Sequence, residues 1–224
     1  MTQADHSTSI ALSLSEIRAL ATRAARGAGM PWGLAEEAGV AVAGLARMGL
    51  PGARWLLALL SGPATSAPVV AIGRWQPNGV QQSLCPIQVG AALTDHAMLR
   101  EGLREQHCML VERVAVPGLV LPFLGQVAAR LFCGLKVDWA DGSALITPDG
   151  WCEVIAGETS LAESVADLAI AKSNLRPPPD RLASKSATLM EAELQSLEAL
   201  ALATTVPPSQ KSRTDAGAAG SDNE

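Results

Sequence analysis

The stretch LSLSEIRALATRAARGAGMPWGLAEEAG, residues 12–39, predicts two helices joined by a tight turn. Ser13 and Glu16 have the spacing of a capping box, in which two side chains satisfy free N–H groups at a helix start. Gly27 is the predicted stop, because glycine accepts the left-handed conformation just past a helix end. Pro31 suits the first position of the second helix. The stretch therefore predicts an αα-hairpin whose turn starts at Gly27.

Small and aliphatic residues recur at helical spacing along the second helix and predict its buried face. They are Ala35, Ala38, Gly39, Val42, Leu45 and Ala46. A third short helix is predicted over ARWLLALLSG, residues 53–62. The first part of the chain is therefore expected to be helical.

The middle of the chain changes to a mixture of strand and helix patterns. Strands are predicted over residues 67–75, 81–93 and 108–116, and helices over 94–106 and over 121–134 with Gly134 past the helix end. Asp141 and Gly142 lie between LKVDWA and SALIT and predict a β-hairpin. A turn is predicted at PDG (148–150), and it leads into WCEVIAG. For SLAESVADLAIAKS, residues 160–173, helix and strand both remain open.

These patterns predict an α+β fold: an N-terminal helical unit, a small, irregular, mostly antiparallel sheet with packed helices, and a C-terminal helix and tail. The predicted division is a flexible arm over 1–11, a single α+β domain over 12–203 and a partly ordered tail over 204–224. Within the domain we expect a helical part at 12–62, a mixed part at 66–173, a linker at 174–187 and a helix at 188–203.

Composition and charge exclude some classes of protein. Of 224 residues, 48% are hydrophobic and 17% are charged, which supports a sizeable core. The formal net charge is −5 and no Lys/Arg-rich run exists, so nucleic-acid binding is not expected. No apolar run reaches the roughly 20 residues that span a bilayer, so no membrane association is expected. Because no signal peptide is recognisable, we expect a cytoplasmic protein whose four cysteines are reduced.

Three stretches together resemble a known but uncharacterised protein family. They are residues 12–39, CPIQVGAALTD and the closing LATTVPPSQKSRTDAGAAGSDNE. The sequence resembles proteobacterial proteins of about this length whose function is unknown, so the resemblance implies no activity. It does imply an ordered tail, although Thr205 replaces an aromatic residue of the family and the Gly/Ala run is thinned to residues 216–220.

Two interpretations of the helical turn stay open. In the structural one, Trp32 wedges between the helices, and Arg23 or Arg26 pairs with Glu36 or Glu37. In the functional one, Arg26 and the free N–H groups of the second helix hold a small anion, with Trp32 as a platform. The wider candidate ligand-binding set is Arg26, Trp32, Glu36, Asp95, Ser212 and Arg213.

No motif predicts a metal site, a cofactor or a catalytic centre. His96, His107, Cys85 and Cys108 could ligate a metal, but their spacing matches no closed zinc site, and CxxC and HExxH are absent. Asp95, His96 and Glu112 are acid/base candidates whose default role is at a solvated surface. We therefore predict no metal and no cofactor, and leave the catalytic residues unknown.

The sequence favours a protein that binds a partner protein or a small metabolite without catalysis. The alternative is a small metabolic enzyme, or the minor subunit of one, with its site near the turn of Arg26 and Trp32. The sequence does not decide between these classes. A homo-oligomer is also left open. We also predict that Arg213 in the tail reaches Glu36 or Glu37.

Overall fold

The computed structural model describes residues 9–163, 165–174 and 183–204. It has an α+β fold in which helices pack on one face of a six-stranded sheet. Its helices are α1 (Leu14–Gly27), α2 (Trp32–Arg47), α3 (Gly52–Ser61), α4 (Pro86–His96), α5 (Leu121–Leu131), α6 (Ser160–Glu163) and α7 (Glu191–Leu202). Its strands are β1 (Ser9–Ser13), β2 (Arg74–Trp75), β3 (Cys108–Ala115), β4 (Gly134–Trp139), β5 (Gly142–Ile146), β6 (Cys152–Ala156), β7 (Val165–Ser173) and β8 (Ser186–Met190).

The predicted capping box starts α1. The backbone N–H of Ser13 donates to Glu16 Oε2 at 2.8 Å, and the N–H of Glu16 donates to Ser13 Oγ at 3.2 Å. Both ends of the motif are therefore satisfied, which fixes where the helix begins. The buried face of α2 is also confirmed, because all six residues predicted for it are buried.

Gly27 lies at the end of α1 as predicted, but it does not adopt the left-handed conformation that was expected of it. The residue in the left-handed conformation is Gly29, with φ 92°, whereas Gly27 is the last residue of α1. A methyl group on Gly27 would overlap the carbonyl oxygen of Leu200 in α7. Glycine is needed at this position because two helix backbones approach closely there.

The sheet has the strand order β2-β3-β7-β4-β5-β6, and among these described strands only the short β2 runs parallel to its neighbour. The strand predicted at 108–116 is confirmed as β3. The hairpin predicted at Asp141 and Gly142 is also confirmed, because β4 pairs with β5 and Trp139 lies opposite Gly142 at its end. The segment 160–173, left open by its sequence, contains both the short α6 and the long β7.

Alternate residues of the strands divide the sheet into two faces. Val137 and Ile170 are fully buried on the face that the helices cover. Lys136 and Ala171 are paired on the opposite face, where side chains are half-buried. Lys172 therefore lies on the helix-covered face, at the end of β7.

Several local predictions in the middle of the chain are wrong. Residues 81–93 were expected as a strand, but helix α4 begins at Pro86, whose ring suits a first helical position. Of 67–75 only the last two residues form a strand, and the helix expected over 94–106 is replaced by turns after His96. Helix α5 ends at Leu131, and the left-handed residue just past its end is Phe132 rather than the predicted Gly134, which begins β4.

A two-stranded ribbon joins the two ends of the described chain. Strand β1 pairs antiparallel with β8, from Ser9 opposite Met190 to Ser13 opposite Ser186. Residues 9–11 are therefore not part of a flexible arm, and the helix expected from residue 188 begins at Glu191. This pairing depends on residues far apart in sequence, so local patterns could not show it.

Parts of the predicted organisation lie outside the described residues. These are residues 1–8 of the arm, 175–182 of the linker, and 205–224 of the tail, including Ser212 and Arg213. Within the described residues, no helix has both the length and the apolar character that a bilayer crossing requires.

Candidate functional site

In the structure, Arg26 has a local role in the helical turn. Arg26 Nη1 donates to the carbonyl oxygen of Met30 at 3.0 Å, which closes the turn. Trp32 is 61% exposed, so it does not wedge between the helices as the structural interpretation expected. Among the described residues, no ion pair joins Arg23 or Arg26 to Glu36 or Glu37.

The other sequence candidates do not form a single cluster. Asp95 is exposed in the last turn of α4, and the neighbouring His96 ring packs edge-on against Trp75 at a centroid distance of 5.6 Å. Glu112 forms an ion pair with Arg74 at 2.5 Å on the sheet. Among the described residues, no group of three or more His, Cys, Asp or Glu side chains could hold a metal ion.

A groove rich in positive charge lies where the ends of α4, α5 and β7 meet. Its volume is about 380 Å³. We call it the basic groove and define it by its lining residues: Met98, Arg104, Arg130, Leu131, Phe132, Cys133 and Lys172. Three of these side chains are cationic and none is a carboxylate. This arrangement favours an anion.

Two of the three cations of the basic groove are held by backbone carbonyl groups. Arg130 Nη1 donates to the carbonyl oxygen of Thr94 at 2.5 Å, and Lys172 Nζ donates to that of Arg104 at 2.6 Å. Each cation keeps further N–H groups for another acceptor. Among the described residues, none of the three cations forms an ion pair with a carboxylate.

Phe132 forms part of the basic groove in an unusual backbone conformation. Its φ is 52°, in the left-handed region that usually holds glycine or asparagine at a helix end. For a residue with a Cβ this conformation costs about 1–2 kcal/mol. The residue is nevertheless 89% exposed, so burial within the described chain does not offset that cost.

A second groove, of about 340 Å³, lies between the α2–α3 turn and β8. Arg54 Nε donates to Glu193 Oε1 at 3.1 Å, and Glu193 Oε2 accepts the N–H of Met190 at 3.0 Å. Glu158 also lines this groove. Because the charge of Arg54 is already balanced by carboxylates, this groove favours an anion less than the basic groove does.

Sequence reasoning did not find the basic groove. The hydrogen bonds that hold Arg130 and Lys172 join residues 36 and 68 positions apart. No local pattern connects such positions. One signal was available: the segment LFCG has phenylalanine where a helix end commonly has glycine.

Comparison with known proteins gives the fold more support than the function. The chain is similar in structure to malate dehydrogenase from Entamoeba histolytica, with 9% identity, a TM-score of 0.57, and coverage of 90% of this chain and 100% of that one. It is similar to a dehydrogenase from Sinorhizobium meliloti, with 13% identity, a TM-score of 0.55, and coverage of 87% and 100%. At such low identity this similarity concerns the fold alone.

No curated protein sequence matches the chain. The expected resemblance to an uncharacterised family is confirmed over part of the sequence: residues 12–89 match the family described as Protein of unknown function (DUF3726).

Proposed function

We propose that this protein binds a small anionic metabolite in the basic groove. The observation that carries the proposal is the concentration of Arg104, Arg130 and Lys172 around one groove, with no carboxylate among the described residues that line it. The chain as a whole has a net charge of −5, so the positive charge of the groove is opposite in sign to the net charge of the protein. The groove volume of about 380 Å³ lies within the usual range for small-molecule sites.

The chemistry of the three cations suits a carboxylate or a phosphate. A guanidinium can donate two parallel N–H bonds to such a group, and an ammonium adds a compact point charge. The backbone carbonyl groups that hold Arg130 and Lys172 also limit the entropy lost on binding. Carboxylates and phosphates share this chemistry, so acetate and inorganic phosphate both serve as probes.

An enzyme or enzyme subunit is the alternative function. The similarity in fold to two dehydrogenases favours it, although fold does not determine activity. In that case the basic groove, rather than the turn of Arg26 and Trp32, would receive an anionic substrate. The cytoplasmic location, the domain division and a homo-oligomeric state also stay proposals.

The proposal can be tested by titrating the ¹⁵N-labelled protein with acetate and, separately, with inorganic phosphate. We expect saturable shifts of amides near Arg130 and Lys172. Lys172→Met should weaken binding by about tenfold or more, because a hydrogen bond to a charged group contributes roughly 1.5–3 kcal/mol. Affinity should also fall as salt is added.

Lys136→Met is the matched control. It removes the same charge from the neighbouring strand, but on the opposite face of the sheet, where Lys136 forms an ion pair with Asp138 at 2.6 Å. Its affinity should stay within about twofold of that of the unchanged protein, because a screened, distant charge contributes little. The proposal fails if neither anion gives saturable shifts, or if both variants bind alike.

A further inference from the structure

We infer that the ligand of the basic groove is an amphipathic anion, with a carboxylate or phosphate head and an apolar body that contacts Phe132. This inference rests on the proposed function and adds the chemical class of the ligand. The groove is apolar as well as cationic, because Met98, Leu131 and Phe132 line it together with the three cations.

The state of Phe132 supports a contact with something outside the described chain. Its left-handed φ of 52° is unfavourable for a residue with a Cβ. The residue is 89% exposed and therefore gains little from packing within the described part of the chain. Unfavourable backbone conformations of this kind cluster at ligand-binding positions. A ligand surface over the ring would supply the missing apolar contact.

The other apolar residues extend this surface. Met98, 44% exposed, comes from the turn after α4, whereas Leu131 and Phe132 come from the end of α5. Methionine adapts its shape readily to apolar partners. Arg130 directly precedes Leu131 in the chain, so one helix end presents both a cation and an apolar surface. A small hydrophilic anion would use the first and leave the second in water.

The test compares carboxylates that share a head and differ in the length of the body. Acetate, hexanoate and octanoate are titrated into the unchanged full-length protein, and their dissociation constants are measured from the amide shifts. A fully buried methylene strengthens binding by about fourfold. Burial of about two methylenes against the apolar residues would therefore make octanoate bind about tenfold or more tightly than acetate.

Variants show whether Phe132 provides this contact. Phe132→Ala should remove most of the advantage of octanoate over acetate, whereas Phe132→Leu should retain much of it. Val80→Ala is the control, because Val80 is equally exposed at 89% and does not line the basic groove. The ¹⁵N spectrum of each variant shows whether the fold is kept.

The outcomes separate this inference from the proposed function. If acetate and octanoate bind equally tightly, and Lys172→Met weakens both, the inference is overturned and the proposed function stands. The inference is also overturned if octanoate binds more tightly but Phe132→Ala has no effect. If neither a carboxylate nor inorganic phosphate binds, the proposed function and the inference fall together. If inorganic phosphate binds and no carboxylate does, the proposed function stands and the inference is overturned.

Discussion

Gly27→Ala is expected to destabilise the protein, although alanine normally stabilises a helix relative to glycine. Gly27 ends α1 at the point where α7 crosses it. A methyl group there would overlap the carbonyl oxygen of Leu200 and lie 2.8 Å from the carbonyl carbon. Because non-bonded carbon atoms pack at about 3.5–4.0 Å and the carbonyl oxygen lies closer than the carbon, α7 must move by more than about 1 Å or detach.

Two contributions of opposite sign set the size of the effect. Replacing glycine by alanine in a helix stabilises by about 0.5–1 kcal/mol. Overpacking costs about 1–3 kcal/mol. Complete detachment would expose the buried Leu197 and Ala201 of α7, and burial of a leucine side chain alone contributes about 1.5–3 kcal/mol. We expect a net loss of about 1–2 kcal/mol, which lowers the Tm by about 2–8 °C.

Urea and thermal unfolding, followed by circular dichroism, measure this effect. Gly33→Ala is the control, because a methyl group at Gly33, in the first turn of α2, would meet no atom within 4 Å. This change should stabilise by up to about 1 kcal/mol. The reasoning is refuted if Gly27→Ala is equally stabilising. It is also refuted if the effects of Gly27→Ala and Leu197→Ala add to within about 0.5 kcal/mol, because coupled sites should not be additive.

Three further predictions concern charge, thiol reactivity and the helical turn. Hydrogen bonds from Ser13 lower the pKa of Glu16 below its usual 4.5, so its contribution is present above that value and is lost as the pH falls through the lowered pKa. The difference in Tm between the unchanged protein and Glu16→Gln should therefore shrink from about pH 6 to about pH 3. At about pH 8, mass spectrometry should find Cys108 alkylated by iodoacetamide and Cys152 unmodified, because burial raises the pKa of the Cys152 thiol to about 12. Trp32→Ala should change the unfolding free energy by less than about 0.5 kcal/mol in urea, because Trp32 is 61% exposed.

Local sequence patterns predicted those parts of the fold that local interactions determine. The capping box of Ser13 and Glu16 depends on residues three apart, and the buried face of α2 follows from helical periodicity. The hairpin between β4 and β5 depends on a short turn. In each case the residues that contact one another are close together in the sequence.

The predictions that failed depend on long-range contacts. Gly27 has the residue type of a helix stop. Glycine is needed there, however, because the backbone of α7, more than 170 residues away in the sequence, packs against it. The pairing of β1 with β8 has the same character. The basic groove combines Arg104, Arg130 and Lys172 only after the sheet and helices have assembled. A single sequence contains these residues without showing that they meet.

The accessibility of Cys133 tests most directly whether a ligand enters the basic groove, because this thiol is part of the lining. The measurement is the rate at which the neutral reagent iodoacetamide modifies Cys133, with and without octanoate, with Cys108 as the internal control. At an octanoate concentration about ten times its Kd, we predict that Cys133 reacts about tenfold more slowly, because only the unliganded fraction is exposed. Cys108 should react at an unchanged rate. Because Lys172→Met should raise the Kd about tenfold or more, it should reduce the protection of Cys133 to about twofold or less at the same octanoate concentration. An unchanged rate at Cys133, at concentrations where octanoate is bound, would contradict the assignment of the ligand to this groove.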